Sequence, residues 1–296
     1  MARADTPVVL EAAINGGTQK SRNPHVPISV DELVSDALAC IEAGAQIVHQ
    51  HDDLGRGGML GGASPEGMAA KSAAVYGPVL EQYPDAVLYP TANWDGDIEY
   101  KWRHHFVLAE KGLLRMAYVD PGSVNLGGRG KDGLPAGFVY ENSFADVRWK
   151  FEQCERLGLG PSMAIFEPGF ARLALAYEKA GRLPSGAFIK FYFGDRSSFG
   201  LPPTPTSLDA YLALMEDSRL PWAVAVIGGD VVESGIARRA LEAGGHLRVG
   251  LEDHAGRRSP TNLELVREAV ALCEEVGRPV ATRSEAAELL GLRAAA

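Results

Sequence analysis

The chain has 296 residues, of which 46% are hydrophobic and 23% charged, and its formal net charge is −9. This composition is typical of a globular protein, and an acidic chain without a basic patch is a poor binder of nucleic acid. No apolar run approaches the roughly 18 residues that cross a bilayer, and residues 1–7 lack an apolar signal core. We therefore expect a cytoplasmic protein with no nucleic-acid or membrane partner.

Strand-like and helix-like segments alternate along the whole chain. The predicted strands, rich in β-branched and aromatic residues, span 8–14, 46–51, 86–91, 114–120, 161–167, 188–193, 222–227 and 246–252. The predicted helices span 31–43, which has an apolar face, 65–82, 98–111, 144–157, 170–180, 207–216, 231–243 and 262–275, with a short extra helix at 284–292. Ser29 is placed to cap the first helix. Long loops are predicted at 121–140 and 194–205.

Eight strand-then-helix units indicate a parallel sheet with right-handed crossovers. Eight such units favour a closed (β/α)8 barrel, the TIM barrel, over an open doubly wound sheet. No linker divides the chain, so we predict one α/β domain over 1–296 with a short C-terminal extra helix. Active sites of such barrels lie at the C-terminal strand ends. The mouth is therefore predicted at the loops after Ile14, His51, Thr91, Asp120, Glu167, Phe193, Ile227 and Glu252.

Two histidines end the second predicted strand. Residues i and i+2 of a strand point to the same side, so His49 and His51 project together while Gln50 points away. The glycine-rich residues 54–58 that follow are predicted to be a loop. Two imidazoles that converge at a strand end supply two-thirds of a three-ligand zinc site. A pair of surface histidines in a loop would have the same sequence.

The last predicted strand carries the densest set of chemically active residues. By alternation, Arg248, Gly250 and Glu252 share one face, which places an arginine below a carboxylate at the rim if that face looks into the barrel. Barrel closure brings this strand next to the first one and close to the second. Glu252 can then complete a metal site with His49 and His51 and leave one coordination position open. A structural ion pair between Glu252 and Arg248 is the alternative.

Polar residues at the other strand ends are candidates for substrate binding, because the C-terminal strand ends form the mouth. The candidates are Glu11, Asn15, Thr91, Tyr118 and Ser123.

Lys190, within the sixth predicted strand, leaves a second chemistry open. A lysine inside a barrel can form a Schiff base with a carbonyl substrate, as in aldolases. A lysine on the outer layer or in an ion pair is the commoner arrangement. Metal-dependent hydrolases also use His-x-His, but they usually need further histidines on strands five and six, and residues 161–167 and 188–193 contain none.

Three other features favour structural roles. The segment 127–131 resembles a phosphate-binding loop but lacks its first glycine and its Ser or Thr. His104 and His105 fall on a predicted helix, and we expect them to face solvent. The cysteines are expected to be reduced packing residues, since each falls in a predicted helix; they are Cys40, Cys154 and Cys273.

These residues together resemble the β-keto acid cleavage enzyme family, which includes 3-keto-5-aminohexanoate cleavage enzyme. The similarity runs through nearly the whole chain. It is carried by Leu10–Gly17 (LEAAINGG), Asn23–Ile28 (NPHVPI), Ala43–His51 (AGAQIVHQH), Gly244–Asp253 (GGHLRVGLED) and Gly277–Thr282 (GRPVAT).

The resemblance implies a zinc ion held by His49, His51 and Glu252, with Arg248 and Asp253 as the catalytic pair. The implied reaction condenses a β-keto acid with acetyl-CoA and cleaves the product to acetoacetate and a new acyl-CoA. It also implies a homo-oligomer, a tetramer in the family.

The chain departs from the family pattern at three strand ends. Pro90-Thr91-Ala92 stands where many members have Ser-Thr-Gly to hold a substrate carboxylate, so Thr91 alone carries over. Asp120 and Asp230 are the other departures, after the fourth and seventh strands. A Schiff-base aldolase that uses Lys190, and a non-catalytic barrel that binds a keto acid, remain the alternative functions.

Overall fold

A computed structural model describes residues 6–52, 64–94 and 96–294, so the predicted loop at 54–58 lies outside the described residues. Ten strands lie in this part of the chain: β1 Leu10–Ala13, β2 Ile47–Gln50, β3 Val87–Pro90, β4 Met116–Tyr118, β5 Val124–Arg129, β6 Pro135–Tyr140, β7 Gly160–Ile165, β8 Phe188–Gly194, β9 Trp222–Ile227 and β10 His246–Val249. The helices there are α1 Val30–Glu42, α2 Pro65–Gln82, α3 Ile98–Glu110, α4 Phe144–Leu157, α5 Pro168–Lys179, α6 Pro205–Leu214, α7 Ile236–Glu242, α8 Asn262–Val276 and α9 Arg283–Leu290.

Eight of the strands form one parallel sheet. Hydrogen-bonded neighbours follow in the order β3-β2-β1-β10-β9-β8-β7-β4. The two end strands, β3 and β4, lie side by side, so the sheet curves round into a barrel. The predicted α/β fold, a (β/α)8 barrel, is confirmed. In the described part of the chain, no helix combines the length and the apolar character that crossing a membrane requires.

Side-chain caps mark where several helices begin. The Ser29 hydroxyl accepts the backbone N–H of Glu32, whose carboxylate in turn accepts the N–H of Ser29, so the predicted cap is confirmed. The same reciprocal arrangement begins α4 at Ser143, α8 at Thr261 and α9 at Thr282. Such caps satisfy N–H groups that have no partner within the helix, and they explain why the sequence predicts these boundaries well.

Two segments depart most from the predicted elements. Residues 121–140, predicted to be a loop, contain an antiparallel hairpin of β5 and β6. Most of its side chains are exposed, and the hydrophobic alternation that identifies a half-buried strand covers only two apolar residues in each strand. Helix α7 begins at Ile236 and not at 231, because the Asp230 carboxylate accepts the N–H groups of Val232 and Glu233 and holds a turn there.

The barrel interior is built in layers that place the site. The lowest inward-facing side chains are apolar, and helix α9 packs its buried residues against them from below. The residues of this layer are Val9, Ile47, Val87, Met116, Phe188 and Ala223. The period of a strand is two, and two residues further along most of these strands the inward side chains become polar. Glu11, His49, Tyr89, Lys190 and Arg248 therefore share the space above a sealed apolar floor.

The predicted exposure of His104 and His105 is wrong. Both side chains are 0% exposed, on the face of α3 that packs against the barrel. The ring of His105 stacks on Trp102 with centroids 4.9 Å apart, and His104 Nε2 lies 2.8 Å from the carbonyl oxygen of Thr91. Burial lowers the pKa of His104 to about 4 and the pKa of His105 well below its ordinary value of 6.5.

We expect the burial of His105 to make the stability of the protein depend on pH. The unfolded state takes up a proton near pH 6.5 that folded His105 does not, so the free energy of unfolding falls as the pH falls. Removing this group in His105→Phe should reduce the loss between pH 7 and pH 5 by about 2 kcal/mol. Urea unfolding of both proteins at the two pH values measures the difference. An equal loss in both would contradict a buried neutral His105.

Candidate active site

His49 and His51 converge where β2 ends. Their ring centroids are 5.2 Å apart, while Gln50 points away and donates to the carboxylate of Asp52. Asn15, after β1, holds the chain at this point. Its side-chain oxygen accepts the N–H of His51 and its amide donates to the carbonyl of His51, at 2.8 and 3.0 Å. The end of β2 is thus tied to the neighbouring strand.

Glu252 reaches the histidines through a turn. Strand β10 ends at Val249, three residues before the predicted end, and Gly250 follows at φ 138°. A Cβ on Gly250 would lie 2.1 Å from the carbonyl oxygen of Ala13, so only glycine fits this approach to β1. The turn places Glu252 Oε2 3.4 Å from His49 Nε2, and Oε1 3.3 Å from His51 Nε2.

The chemistry of these three groups fits a divalent cation. His49 Nδ1 lies 3.1 Å from the carbonyl oxygen of Tyr89, which can only accept, so Nδ1 carries the hydrogen and Nε2 presents a lone pair. Burial lowers the pKa of His49 to about 3, so the ring is neutral. Glu252 Oε2, which faces it, has no hydrogen-bond partner. Two acceptors that face each other need a cation between them, and the three ligand atoms lie within 4.8 Å of one another.

Arg248 joins the candidate ligand to the candidate base. Its side chain is 1% exposed, Nη2 lies 2.8 Å from Glu252 Oε1, and Nε donates to Asp253 Oδ2 at 2.8 Å. Burial alone would raise the pKa of Glu252, but Arg248 and then the two histidines outweigh it and hold that pKa well below its usual range. Burial raises the pKa of Asp253 to about 6, with Arg248 opposing the rise and Glu252 adding to it.

A second ion pair supports Arg248 from below. Glu11 Oε1 accepts from Arg248 Nη1 at 2.6 Å, from Lys190 Nζ at 3.0 Å and from the Tyr89 hydroxyl at 2.6 Å. Burial would raise the pKa of Glu11, but Lys190 and Arg248 outweigh it and lower that pKa to about 2. Lys190 therefore lies inside the barrel as one half of an ion pair, with its ammonium also donating to Tyr89 at 2.6 Å.

The predicted substrate-binding residues divide into two groups. Thr91 and Tyr118 line the cavity above the candidate metal centre. Glu11, Asn15 and Ser123 are not among the residues that line it. The Ser123 hydroxyl donates to the carbonyl oxygen of Asn142 and accepts its N–H, at 3.1 and 2.9 Å. The side chains of this second group are engaged by other protein groups.

The cavity has a volume of about 840 Å³ and reveals residues that the sequence analysis did not select. They are aromatic side chains on one side and arginines at the rim: Trp94, Tyr140, Phe166, Tyr192, Phe199, Arg22, Arg129 and Arg196. Most lie in loops that follow strand ends, so their position in the sequence is a signal that could have identified several of them. The aromatic residues among them are not identified by polarity, which was the property that selected the candidates.

A (β/α)8 barrel that gathers two histidines, a glutamate and an arginine–aspartate pair at its strand ends has the architecture of an enzyme acting on a small molecule. The chain belongs to the β-keto acid cleavage enzyme family, whose model matches residues 7–292. It is 30% identical over 298 residues to 3-oxoadipate:acetyl-CoA acetyltransferase of Cupriavidus necator, covering 97% of this chain and 95% of that protein. It is 28% identical over 292 residues to 3-keto-5-aminohexanoate cleavage enzyme of Acetoanaerobium sticklandii, covering 96% and 98%.

Solved structures with the same fold are more distant in sequence. The apo structure of ObcA superposes with a TM-score of 0.68 at 16% identity, covering 92% of this chain and 66% of that one. Dihydropteroate synthase of Yersinia pestis superposes with a TM-score of 0.55 at 12% identity, covering 93% and 94%. Likeness at this identity supports the barrel and carries no statement about activity.

We expect the metal content to depend on His51 and Glu252. His51→Ala removes a candidate nitrogen ligand and Glu252→Gln removes the candidate anionic one, so each should weaken metal binding by roughly tenfold or more. Elemental analysis after dialysis against a fixed zinc concentration measures this. His25→Ala, which changes an exposed histidine, is the matched control and should keep the wild-type content. Unchanged metal in both site variants would exclude the assignment.

Proposed function

We propose that the chain exchanges the acyl group of a β-keto acid with acetyl-CoA, releasing acetoacetate and a new acyl-CoA. The observation that carries this is the Arg248 guanidinium, which bonds at 2.8 Å to both Glu252 and Asp253. One side chain thus holds a candidate metal ligand and a candidate base beside the same cavity. Membership of the β-keto acid cleavage enzyme family and the acetyl-CoA-dependent relatives support the same reaction.

A divalent ion held by His49, His51 and Glu252 would polarise the β-keto carbonyl and stabilise the charge of the enolate. Asp253 accepts the proton from the carbon between the keto and carboxylate groups, and Arg248 fixes the carboxylate of Asp253 for this transfer. The resulting carbanion attacks the thioester carbon of acetyl-CoA and expels the CoA thiolate. The thiolate then attacks the original keto carbon, whose bond to the central carbon breaks. Asp253 returns its proton to the acetoacetate that leaves.

The rim of the cavity suits the acetyl-CoA phosphates. Arg22, Arg129 and Arg196 are exposed and line the opening. A guanidinium fork matches phosphate oxygens in two-point contacts, and three such groups offset the overall negative charge of the chain at this place. We assign binding of the substrate carboxylate to Thr91, which follows β3 and lines the cavity.

Zinc is the ion we assign to the site, since two imidazoles and one carboxylate with an open position are a common catalytic zinc set. A cytoplasmic location and a tetrameric assembly complete the proposal. Both rest on the family resemblance and the composition of the chain.

The roles of Glu252 and Asp253 can be separated by substitution. We expect Asp253→Asn to keep the metal and lose turnover by about 10²–10⁴-fold, because an amide cannot accept the proton. Glu252→Gln should lose metal and turnover together. Zinc content and acetoacetate release, measured on both variants, decide the roles. If Asp253→Asn loses zinc while Glu252→Gln keeps it, the two roles are reversed.

The Schiff-base alternative predicts a different covalent state of Lys190. The ammonium of Lys190 is engaged by Glu11 and Tyr89, so we expect no imine with a keto acid. Borohydride reduction of the protein with a β-keto acid, followed by mass spectrometry, should leave the chain mass unchanged. An adduct on Lys190 that is absent from Lys190→Met would replace our proposal with an aldolase. A keto acid that binds without any acetoacetate release would instead indicate a non-catalytic barrel.

A further inference from the structure

Aromatic side chains cover one continuous side of the cavity. They come from consecutive parts of the barrel, the ends of β3, β4, β7 and β8 and the hairpin between β4 and β7. The candidate metal ligands, Arg248 and Asp253 come from the opposite side, around β10 and β2. The aromatic wall consists of Trp94, Tyr118, Tyr140, Phe166, Tyr192 and Phe199.

The rings of this wall contact one another in sequence. Trp94 lies 5.2 Å from Tyr140 between ring centroids, and Tyr140 lies 6.4 Å from Phe166. Phe166 in turn lies 4.9 Å from Tyr192, whose ring is 5.3 Å from the guanidinium carbon of Arg248. The wall thus runs from the hairpin to the reactive centre. A group attached to the keto carbon of a bound substrate would extend along it.

Two lining carboxylates lie on the side of this wall. Asp195, on the loop after β8, is exposed at the rim next to Arg196, and Asp120, at the end of β4, is already engaged. Asp120 Oδ2 accepts the hydroxyl of Tyr140 at 2.6 Å, and Oδ1 accepts the N–H of Ala164 at 3.2 Å. The buried ammonium of Lys150 interacts with the charge of Asp120. Asp120 therefore has protein partners for both oxygens and a fixed cation nearby, and it is a poor counter-ion for a substrate.

Cations already occupy the faces of two of the rings. The Lys150 ammonium lies 4.7 Å from the centroid of Tyr118, and Arg248 lies over Tyr192. Two of the six rings thus already face a protein cation, and three arginines at the rim would repel a cationic substrate group. An anionic group would lose its hydration at an aromatic surface. The nearest cations that could pair with it are the arginines at the exposed rim. An uncharged group has no charge to desolvate, and burying its apolar surface against the wall stabilises the complex.

We propose that the β-keto acid of this chain carries a bulky uncharged side chain, with a phenyl group as the best match to the aromatic wall. This rests on the proposed function, because it names the substrate class of the same site. The cavity volume of about 840 Å³ lies in the range that holds a ligand of drug-like size, so a phenyl group fits beside the thioester end of acetyl-CoA.

The experiment compares three 3-oxo acids with the same five-carbon chain, carrying on carbon 5 a phenyl, a carboxylate or a trimethylammonium group. Calorimetric titration of the zinc-loaded protein without acetyl-CoA gives the Kd of each. We expect the phenyl acid to bind at least about tenfold more tightly than either charged acid. A charged acid that binds as tightly or more tightly overturns the inference, and so does the absence of binding by all three.

A variant of the wall tests the place of binding. Trp94 is half-buried on a loop, so Trp94→Leu should fold, and it should weaken binding of the phenyl acid by about tenfold while leaving the charged acids unchanged. Phe144→Leu, which changes an aromatic side chain that is 77% exposed and outside the cavity, is the matched control and should bind like wild type. Equal Kd values for Trp94→Leu and wild type would exclude the wall as the binding surface.

Turnover separates this inference from the proposed function. Acetoacetate release from each acid with acetyl-CoA should follow the same order as binding. If the phenyl acid binds most tightly and none of the three releases acetoacetate, the proposed reaction fails and the ligand class holds. If acetoacetate forms fastest from a charged acid, the reaction holds and the ligand class fails.

Discussion

The buried Arg248 is the constraint on which the rest of the site depends. Its guanidinium contacts Glu11 below, and Glu252 and Asp253 above, and its side chain is 1% exposed. A charge removed from water in this way is tolerated only where anions and hydrogen bonds surround it, and removing one partner of such a pair typically costs about 3–5 kcal/mol. The glutamate that faces the histidines is therefore held by the same group that orients the aspartate.

The charges of this cluster also explain why a metal and an anionic substrate suit the site together. The cluster holds three carboxylates and two cations, Arg248 and Lys190, which leaves one net negative charge among these five groups. A divalent ion would change this to one net positive charge, and the carboxylate of a β-keto acid would then neutralise it. Since unbalanced charge is costly in a buried site, each addition favours the next.

The two sides of the barrel mouth carry different kinds of side chain. The side around β10, β1 and β2 holds charged groups and candidate metal ligands that contact one another, so their geometry is rigid. Gly16 contributes to this, because a Cβ there would lie 2.2 Å from Cγ of Glu252. The side from β3 to β8 carries the aromatic wall on strand ends, on the loops that follow them and on the hairpin. Chemistry can thus be retained while the loops of the other side change the ligand, which is a general property of this fold.

Much of the fold followed from local patterns in the sequence. Alternating strands and helices are encoded by nearest neighbours, as are caps such as Ser29, so the barrel and most helix boundaries could be predicted. The pairing of His49 with His51 needed only the period of a strand. Predicting that Glu252 lies near these histidines required one further step, the closure of eight strand–helix units into a barrel.

What remained was decided by the tertiary structure. The burial of His104 and His105 depends on which face of α3 packs against the barrel. Two adjacent histidines in a sequence do not indicate which face that is. The hairpin at 124–140 is buried on one side only at its base, at Val124 and Tyr140, so the alternation in its strands is too short to predict them. The aromatic wall gathers side chains from four barrel strands and a hairpin, whose distances are set by the curvature of the sheet. The sequence by itself determined the barrel and the residues able to bind a metal. Only packing between distant segments decided which side chains surround them, because contacts between residues far apart in the sequence produce no local pattern.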